Sequence, residues 1–143
     1  MIINFRLNKI SIEKKNIPKG SIEAKNNLRI TDVREESISS LTKEKALNLD
    51  FVFKVMYEPK VAEVEMQGNV TFMNDAKAVK DILENWQKNK KIKQEVAVPI
   101  FNHILSKCNV KALALEEDVE LPFHVPIPRV KTKAEMSQPA KAS

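Results

Sequence analysis

The side chains best equipped for chemistry in this chain are Cys108, His103, His124 and the neighbouring acids Glu116 and Glu117. Cys108 with His103 would make a nucleophile and its base, but five residues apart they do not share a helix face as i+3 or i+4 partners do. His103 and Ser106 have a spacing that lets them touch, yet no aspartate on that segment could orient the imidazole. A lone cysteine on an apolar helix face reads more simply as a small core residue. Glu116 and Glu117 point apart on a helix, which does not suit paired acid–base work. His124 stands among prolines and reads as a surface residue or a pH-sensitive contact. No catalytic residue is assigned, and an enzyme is not expected.

Cofactor chemistry is equally sparse. Gly20 and Gly68 are the only glycines, so neither the P-loop nor the dinucleotide fingerprint can be written in this sequence. One cysteine and two histidines leave no disulfide and argue against a zinc or histidine-rich metal centre. No metal or cofactor is expected, and a reducing cytoplasm is the simplest location. The opening MIINFRLNKI carries Asn4, Arg6 and Asn8 where a signal peptide needs an unbroken apolar stretch. No run approaches the ~20 apolar residues of a membrane helix.

The 143 residues carry a net charge of +5, with 43% apolar and 30% charged content. These values suit one globular domain, with a core large enough to need no staples. The positive excess sits in KNKKIK at 88–93 and in the tail 129–143. Lys88, Lys90, Lys91 and Lys93 could attract phosphate, giving a nucleic-acid or ribosome-binding module as the alternative function. They also suit a solvated helix end, where lysine meets the dipole, and they lack interleaved aromatics.

These residues must be held by elements that the apolar periods define. Ile3, Phe5 and Leu7 share one face, then Ile10 and Ile12 the other, which predicts a strand with a bulge. Asn16, Pro18 and Gly20 mark a crossing loop, and a second strand is expected at about Leu28 to Ser37. Residues 46–57 alternate most clearly, with Leu47, Leu49, Phe51, Phe53, Val55 and Tyr57 on one side. After a turn at 58–60 the alternation resumes from Ala62 to Phe72, so the two runs predict an antiparallel hairpin. Asn74 or Asp75 caps a helix running to about Gln94, with Val79, Ile82, Leu83 and Trp86 at i, i+3, i+4 and i+7. A second helix starts near Val96, with Pro99 in its first turn, and reaches toward Leu115. Three prolines in LPFHVPIPRV force an extended strap. The fold class is α+β: a four-stranded, mostly antiparallel sheet followed by two helices.

In the order of its elements over residues 1–128, the chain resembles the SecB export-chaperone family, in a divergent archaeal-like branch. FRLNKISIEKKNIP resembles the family's first strand and crossover loop, VAEVEMQGNVTF its fourth strand, and LPFHVPIP its proline-punctuated segment after the second helix. The resemblance implies a domain over 1–128 with a basic tail at 129–143, assembled as a homotetramer (a dimer of dimers) that holds unfolded polypeptides or preproteins in hydrophobic grooves. It places Glu63 at one acidic position that contacts the translocation motor, while Lys14 replaces an acid at another. The translocation partner is therefore open.

Two apolar sets then take candidate roles. Val79, Ile82, Leu83 and Trp86 read as core or as an oligomer interface; the resemblance places their helix between the sheets of paired dimers. Ile17, Ile22, Val110, Leu113, Leu115, Leu121, Phe123 and Val125 sit on segments too irregular for one core face. They read as packing under loops or as a channel lined for unfolded chains. The resemblance favours the channel, and with it an ATP-independent holdase.

Overall fold

Period-two alternation followed by helical spacing divides the chain into four strands and two helices. The computed structural model describes residues 1–17, 20–36 and 44–126. The strands are β1 (Ile2–Lys14), β2 (Glu23–Glu36), β3 (Glu44–Glu58) and β4 (Ala62–Asp75); the helices are α1 (Ala76–Asn89) and α2 (Gln94–Asp118). This is the four-stranded sheet followed by two helices expected from the sequence. The expectations for Pro18, Ser37, Pro128 and the tail 129–143 lie outside the described residues.

The β3–β4 hairpin forms the centre of the sheet because both strands alternate without interruption. Leu47, Leu49, Phe51, Phe53, Val55 and Tyr57 are each at most 1% exposed. Across the ladder Phe53 opposes Met66 and Val55 opposes Val64. Burying side chains of this size contributes about 1.5–3 kcal/mol each. The strand order is β1-β4-β3-β2, and every described pairing is antiparallel. β1 and β2, adjacent in sequence, are therefore the two opposite edges. Residues between them cross the end of the sheet.

β1 carries two register shifts, one between Ile2 and Asn4 and one between Leu7 and Lys9. The second is the bulge that the phase change predicts: it returns Ile10 and Ile12 to the face already used by Phe5 and Leu7, opposite Met66 and Val64. The first removes Ile3 from the expected face and leaves it exposed, with Ile2 in its place opposite Phe72. Phe5 stacks on Phe51 at 5.6 Å between ring centroids.

β2 starts at Glu23, five residues before its expected start. Its first half, Ala24 to Asn27, has little apolar alternation and is held in place by pairing with β3, where Ala24 opposes Tyr57. α1 begins on the Asp75 cap, whose Oδ1 accepts from the Ala78 amide at 2.8 Å. It stops at Asn89, earlier than expected, because Lys90 turns left-handed (φ 54°) and returns its amide to the Trp86 carbonyl at 2.9 Å. α2 begins at Gln94 and passes through Asn109 to Asp118, which puts Pro99 in its second turn, not its first. There the proline has no N–H to give the carbonyl one turn earlier.

Both helices cover the same face of the sheet, α1 over β2, β3 and β4, and α2 over β1 and β4. The other face is mixed: Glu63, Glu65, Gln67 and Asn69 lie on it with half-buried Val52, exposed Met56 and buried Ala46 and Thr71.

Candidate functional site

One row across the end of the sheet joins Lys14, Ala62, Tyr57 and Ala24 on the helix-covered face. Three irregular segments converge there: the crossing loop after β1, the β3–β4 turn, and the strap at 121–126. The loop is tied to the turn through the Lys15 and Asn16 amides, which donate to the Val61 carbonyl at 2.7 and 3.2 Å. Asn16 Nδ2 adds a bond to the Lys60 carbonyl at 2.7 Å. Lys14 reaches the Val119 carbonyl at 3.2 Å, fastening the end of α2 to β1.

The strap is drawn in by α2. Ile100, Ile104, Cys108 and Ala112 recur every fourth residue on its buried face, and Glu116 continues the same stripe at 0% exposure. A carboxylate there needs partners, and the strap supplies them. The His124 amide donates to Glu116 Oε1 at 3.1 Å. Nδ1 of His124 lies 2.8 Å from Oε1 and 2.7 Å from Oε2, and its Nε2 lies 2.8 Å from Asn109 Oδ1. The Leu121 amide bonds the Glu116 carbonyl at 2.8 Å. Tyr57 donates its hydroxyl to the Pro122 carbonyl. Burial, and after it the negative charge of Glu116, pushes the Tyr57 hydroxyl well above its ordinary pKa.

His124 is thus a buried residue, 4% exposed, and not the surface residue expected from its proline setting. Its ring also packs edge-on to Phe53, centroids 6.2 Å apart. The regular four-residue spacing from Ile100 to Glu116 was the readable sign that an acid on this face would require such a partner.

Beside the strap lies a groove of about 320 Å³, where Ile22, Ala24 and Tyr57 face Pro122, Phe123 and His124, with Glu23 at the rim. Phe123 is 44% exposed. A second hollow of about 580 Å³ is bounded by Ile17, Pro59 and Val61 together with Lys15 and Asn16; Ile17 is 82% exposed. The structure therefore brings Ile22 and Phe123 to one groove and Ile17 to another at the same end of the sheet. Val125 is half-buried at the strap's end, and Leu113 and Leu115 are half-buried on α2. Val110 is exposed. Leu121, expected in the channel, is instead a core residue, because its amide is pinned to Glu116 and its side chain packs inward.

The α1 set is already used within the chain. Val79, Ile82 and Trp86 are buried against its own sheet, and only Leu83 keeps appreciable exposed area. Leu83 lines a hollow of about 380 Å³ with Ala76 and Val79, flanked by the Lys45–Glu35 ion pair. Lys90 Nζ lies 5.4 Å from the centroid of the Trp86 ring. Together with its capping role, this uses one of the four clustered lysines to finish a helix.

The proposed nucleophile finds no support in the geometry. Cys108 is fully buried, and burial pushes its thiol up to about 11. His103 packs edge-on to Phe5, and Ser106 donates to the His103 backbone carbonyl at 2.9 Å, not to its ring. Among the described residues no group of three or more His, Cys, Asp or Glu side chains is placed to hold a metal ion. No helix among them is long and apolar enough to cross a membrane.

On the solvent face, Glu63 pairs with Lys15 at 3.5 Å and Lys54 at 3.6 Å. Lys54 also reaches Glu65 at 3.3 Å, and Arg34 bridges Asp32 at 2.8 Å and Asp50 at 2.5 Å.

No family model matches the chain, and no curated protein matches it. Among solved structures, the chain is similar to the Mycobacterium tuberculosis Rv1957 SecB-like chaperone in complex with a ChAD peptide from the Rv1956 HigA1 antitoxin. The likeness covers 92% of this chain and 91% of that one, at 9% sequence identity and a TM-score of 0.49.

Proposed function

We propose that this chain is an ATP-independent holdase that captures unfolded polypeptides at the end of the sheet where the crossing loop meets the strap. The observation that carries this reading is the groove between Ile22 and Phe123, because a large aromatic left 44% exposed shares a hollow of about 320 Å³ with Ile22, Ala24 and Pro122, beside the polar Glu23, Tyr57 and His124. β2 adjoins it as an edge strand, and among the described residues no strand pairs with its outer side, where an extended client could add. Each site is small. Capture of a long chain would sum several weak apolar contacts, each worth about 25 cal/mol per Å² before ordering costs.

The same reading includes assembly as a homotetramer in the cytoplasm, with Leu83 and its neighbouring hollow offering the area that α1 leaves for a second copy. The SecB-like pattern of the sequence supports this arrangement. The test is suppression of aggregation of a chemically unfolded client, followed by light scattering, with and without ATP. Equal suppression in both is expected. A client that aggregates as fast with the protein as without it would overturn the reading.

A further inference from the structure

β2 is a 14-residue edge strand, and an edge of that length invites pairing with another chain unless something blunts it. Its register shift between Ile30 and Asp32 interrupts the second half, which leaves Glu23 to Ile30 as an even template. Ala24, Leu28 and Ile30, on the helix-covered face, are half-buried; Glu23, Lys25, Asn26, Asn27 and Arg29 are exposed. The template also carries unmet charge. Glu23 stands directly opposite Glu58 in the ladder, a like-charged pair that costs stability. Among the described residues neither acid makes an ion pair, and Arg29 makes none either. Lys54 is already held by Glu63 and Glu65 at 3.6 and 3.3 Å, and Lys25 lies opposite Met56.

Reversed and laid beside itself about Asn26, this stretch complements its own pattern. Glu23 meets Arg29 of the second copy, Lys25 meets Asn27, Ala24 meets Leu28, and Ile22, just before the strand, meets Ile30. Each pair joins residues of the same face, charged and polar on one side and apolar on the other. We propose that, when no client is bound, a second copy of this chain covers β2 by antiparallel pairing centred on Asn26. The contact is two-fold, so every one of these pairs forms twice. Ile22 and Ala24 line the groove beside Phe123, so Ile30 and Leu28 of the second copy close its mouth. Chains paired in this way mask their capture site and expose it on separating. That consequence rests on the holdase reading; the pairing itself does not.

Charge reversal in the full chain tests the pairing, with mass followed by light scattering over a dilution series. Arg29→Glu sets an acid against Glu23 at both ends of the contact and should weaken association about tenfold. Glu23→Arg should do the same. The double variant Glu23→Arg/Arg29→Glu should restore association, because each pair is recreated in the opposite sense. Both side chains are exposed, so the thermal midpoints should not fall. Cross-linking reads the register independently. Asn26→Cys should give a disulfide-linked dimer under mild oxidation, since residues directly opposite lie within disulfide reach, whereas Asn27→Cys should not. Cys108 is fully buried and does not compete.

A double variant that associates no better than the single ones would overturn the pairing. So would an Asn26→Cys protein that does not cross-link, or that cross-links no faster than Asn27→Cys. Arg29→Glu should capture an unfolded client more readily than the parent, and the cross-linked dimer less readily until it is reduced. Equal capture before and after reduction would overturn the masking of the site. Cross-linking and charge exchange that behave as expected in a protein that suppresses no aggregation in any form would instead defeat the holdase reading and leave the pairing standing.

Discussion

Gly68 and Arg6 approach so closely across the β1–β4 ladder that a Cβ on Gly68 would fall 2.0 Å from the Arg6 carbonyl oxygen. On the other side it would meet Phe51 Cζ at 3.0 Å. The obstacle at Arg6 is backbone, which cannot step aside, so Gly68→Ala should cost at least about 3 kcal/mol, the upper end of ordinary overpacking. Gly20 is the control: it has a positive φ of 82° but nothing within 4 Å, so Gly20→Ala carries only the backbone strain of about 1 kcal/mol. Urea unfolding midpoints of the two variants distinguish these outcomes.

Phe123 and Val125 replaced together by Ser should weaken capture of an unfolded client about tenfold, because apolar area that a client would cover is removed. Phe123 is 44% exposed, so the thermal midpoint should change little. Unaltered binding by a folded double variant would place the site elsewhere, and loss of folding would assign the pair to the core.

Cys108 should not react with a thiol reagent at pH 7.5 in the folded protein. It is fully buried, and burial pushes the thiol up to about 11, which removes both access and thiolate. Reaction should appear only with unfolding, so labelling in a urea series should track the loss of circular dichroism. Rapid labelling without denaturant would show that α2 opens locally.

Acid should erode stability through Glu65. Its hydrogen bond from Lys9 holds the carboxyl below the usual glutamate range against the opposing effect of burial, with Lys54 assisting. A folded value below the unfolded one means that the contribution is full above the unfolded value of 4.5 and is lost as pH falls through the folded value. Glu65→Gln should flatten the acid limb of a stability–pH curve below about pH 4.5, while changing neutral stability by no more than about 1 kcal/mol, since Lys9 is half-exposed.

Trp86→Ala should destabilise the isolated fold by about 3–5 kcal/mol, because the ring is part of the chain's own core. Leu83→Asp is the sharper probe of assembly, since Leu83 retains exposed area on α1. Scattering mass and melting temperature together separate the effects: Leu83→Asp should reduce mass with a small shift in melting. A monomeric parent protein at micromolar concentration would remove the interface altogether.

The parts of this fold that could be read from the chain are those where one period runs uninterrupted. β3 and β4 alternate without a break, and the change of phase after Leu7 announced the β1 bulge. β2 could not be bounded, because Ala24–Asn27 has no period of its own and is a strand only through its neighbour β3. Groove residues Ile22 and Phe123 were legible as apolar points on irregular segments, but not the pairing that brings them together. Leu121 and His124 were misplaced for a shared reason: Glu116 pulls both inward, and a buried acid is unintelligible until its partners are known. Composition cannot show that a histidine eight residues beyond a helix acid will fold back onto it.

The strand order also sets a schedule for biosynthesis. β1 is made first but, among the described residues, pairs with β4 alone, so Leu7 waits for Gly68, about sixty residues later; at ~5–20 residues per second the delay is roughly 3–12 s. Throughout that interval the partner strand of Phe5, Leu7, Ile10 and Ile12 has not been translated. Each new copy therefore passes through a state with apolar β1 side chains unpaired, the kind of segment that the proposed holdase would take as a client.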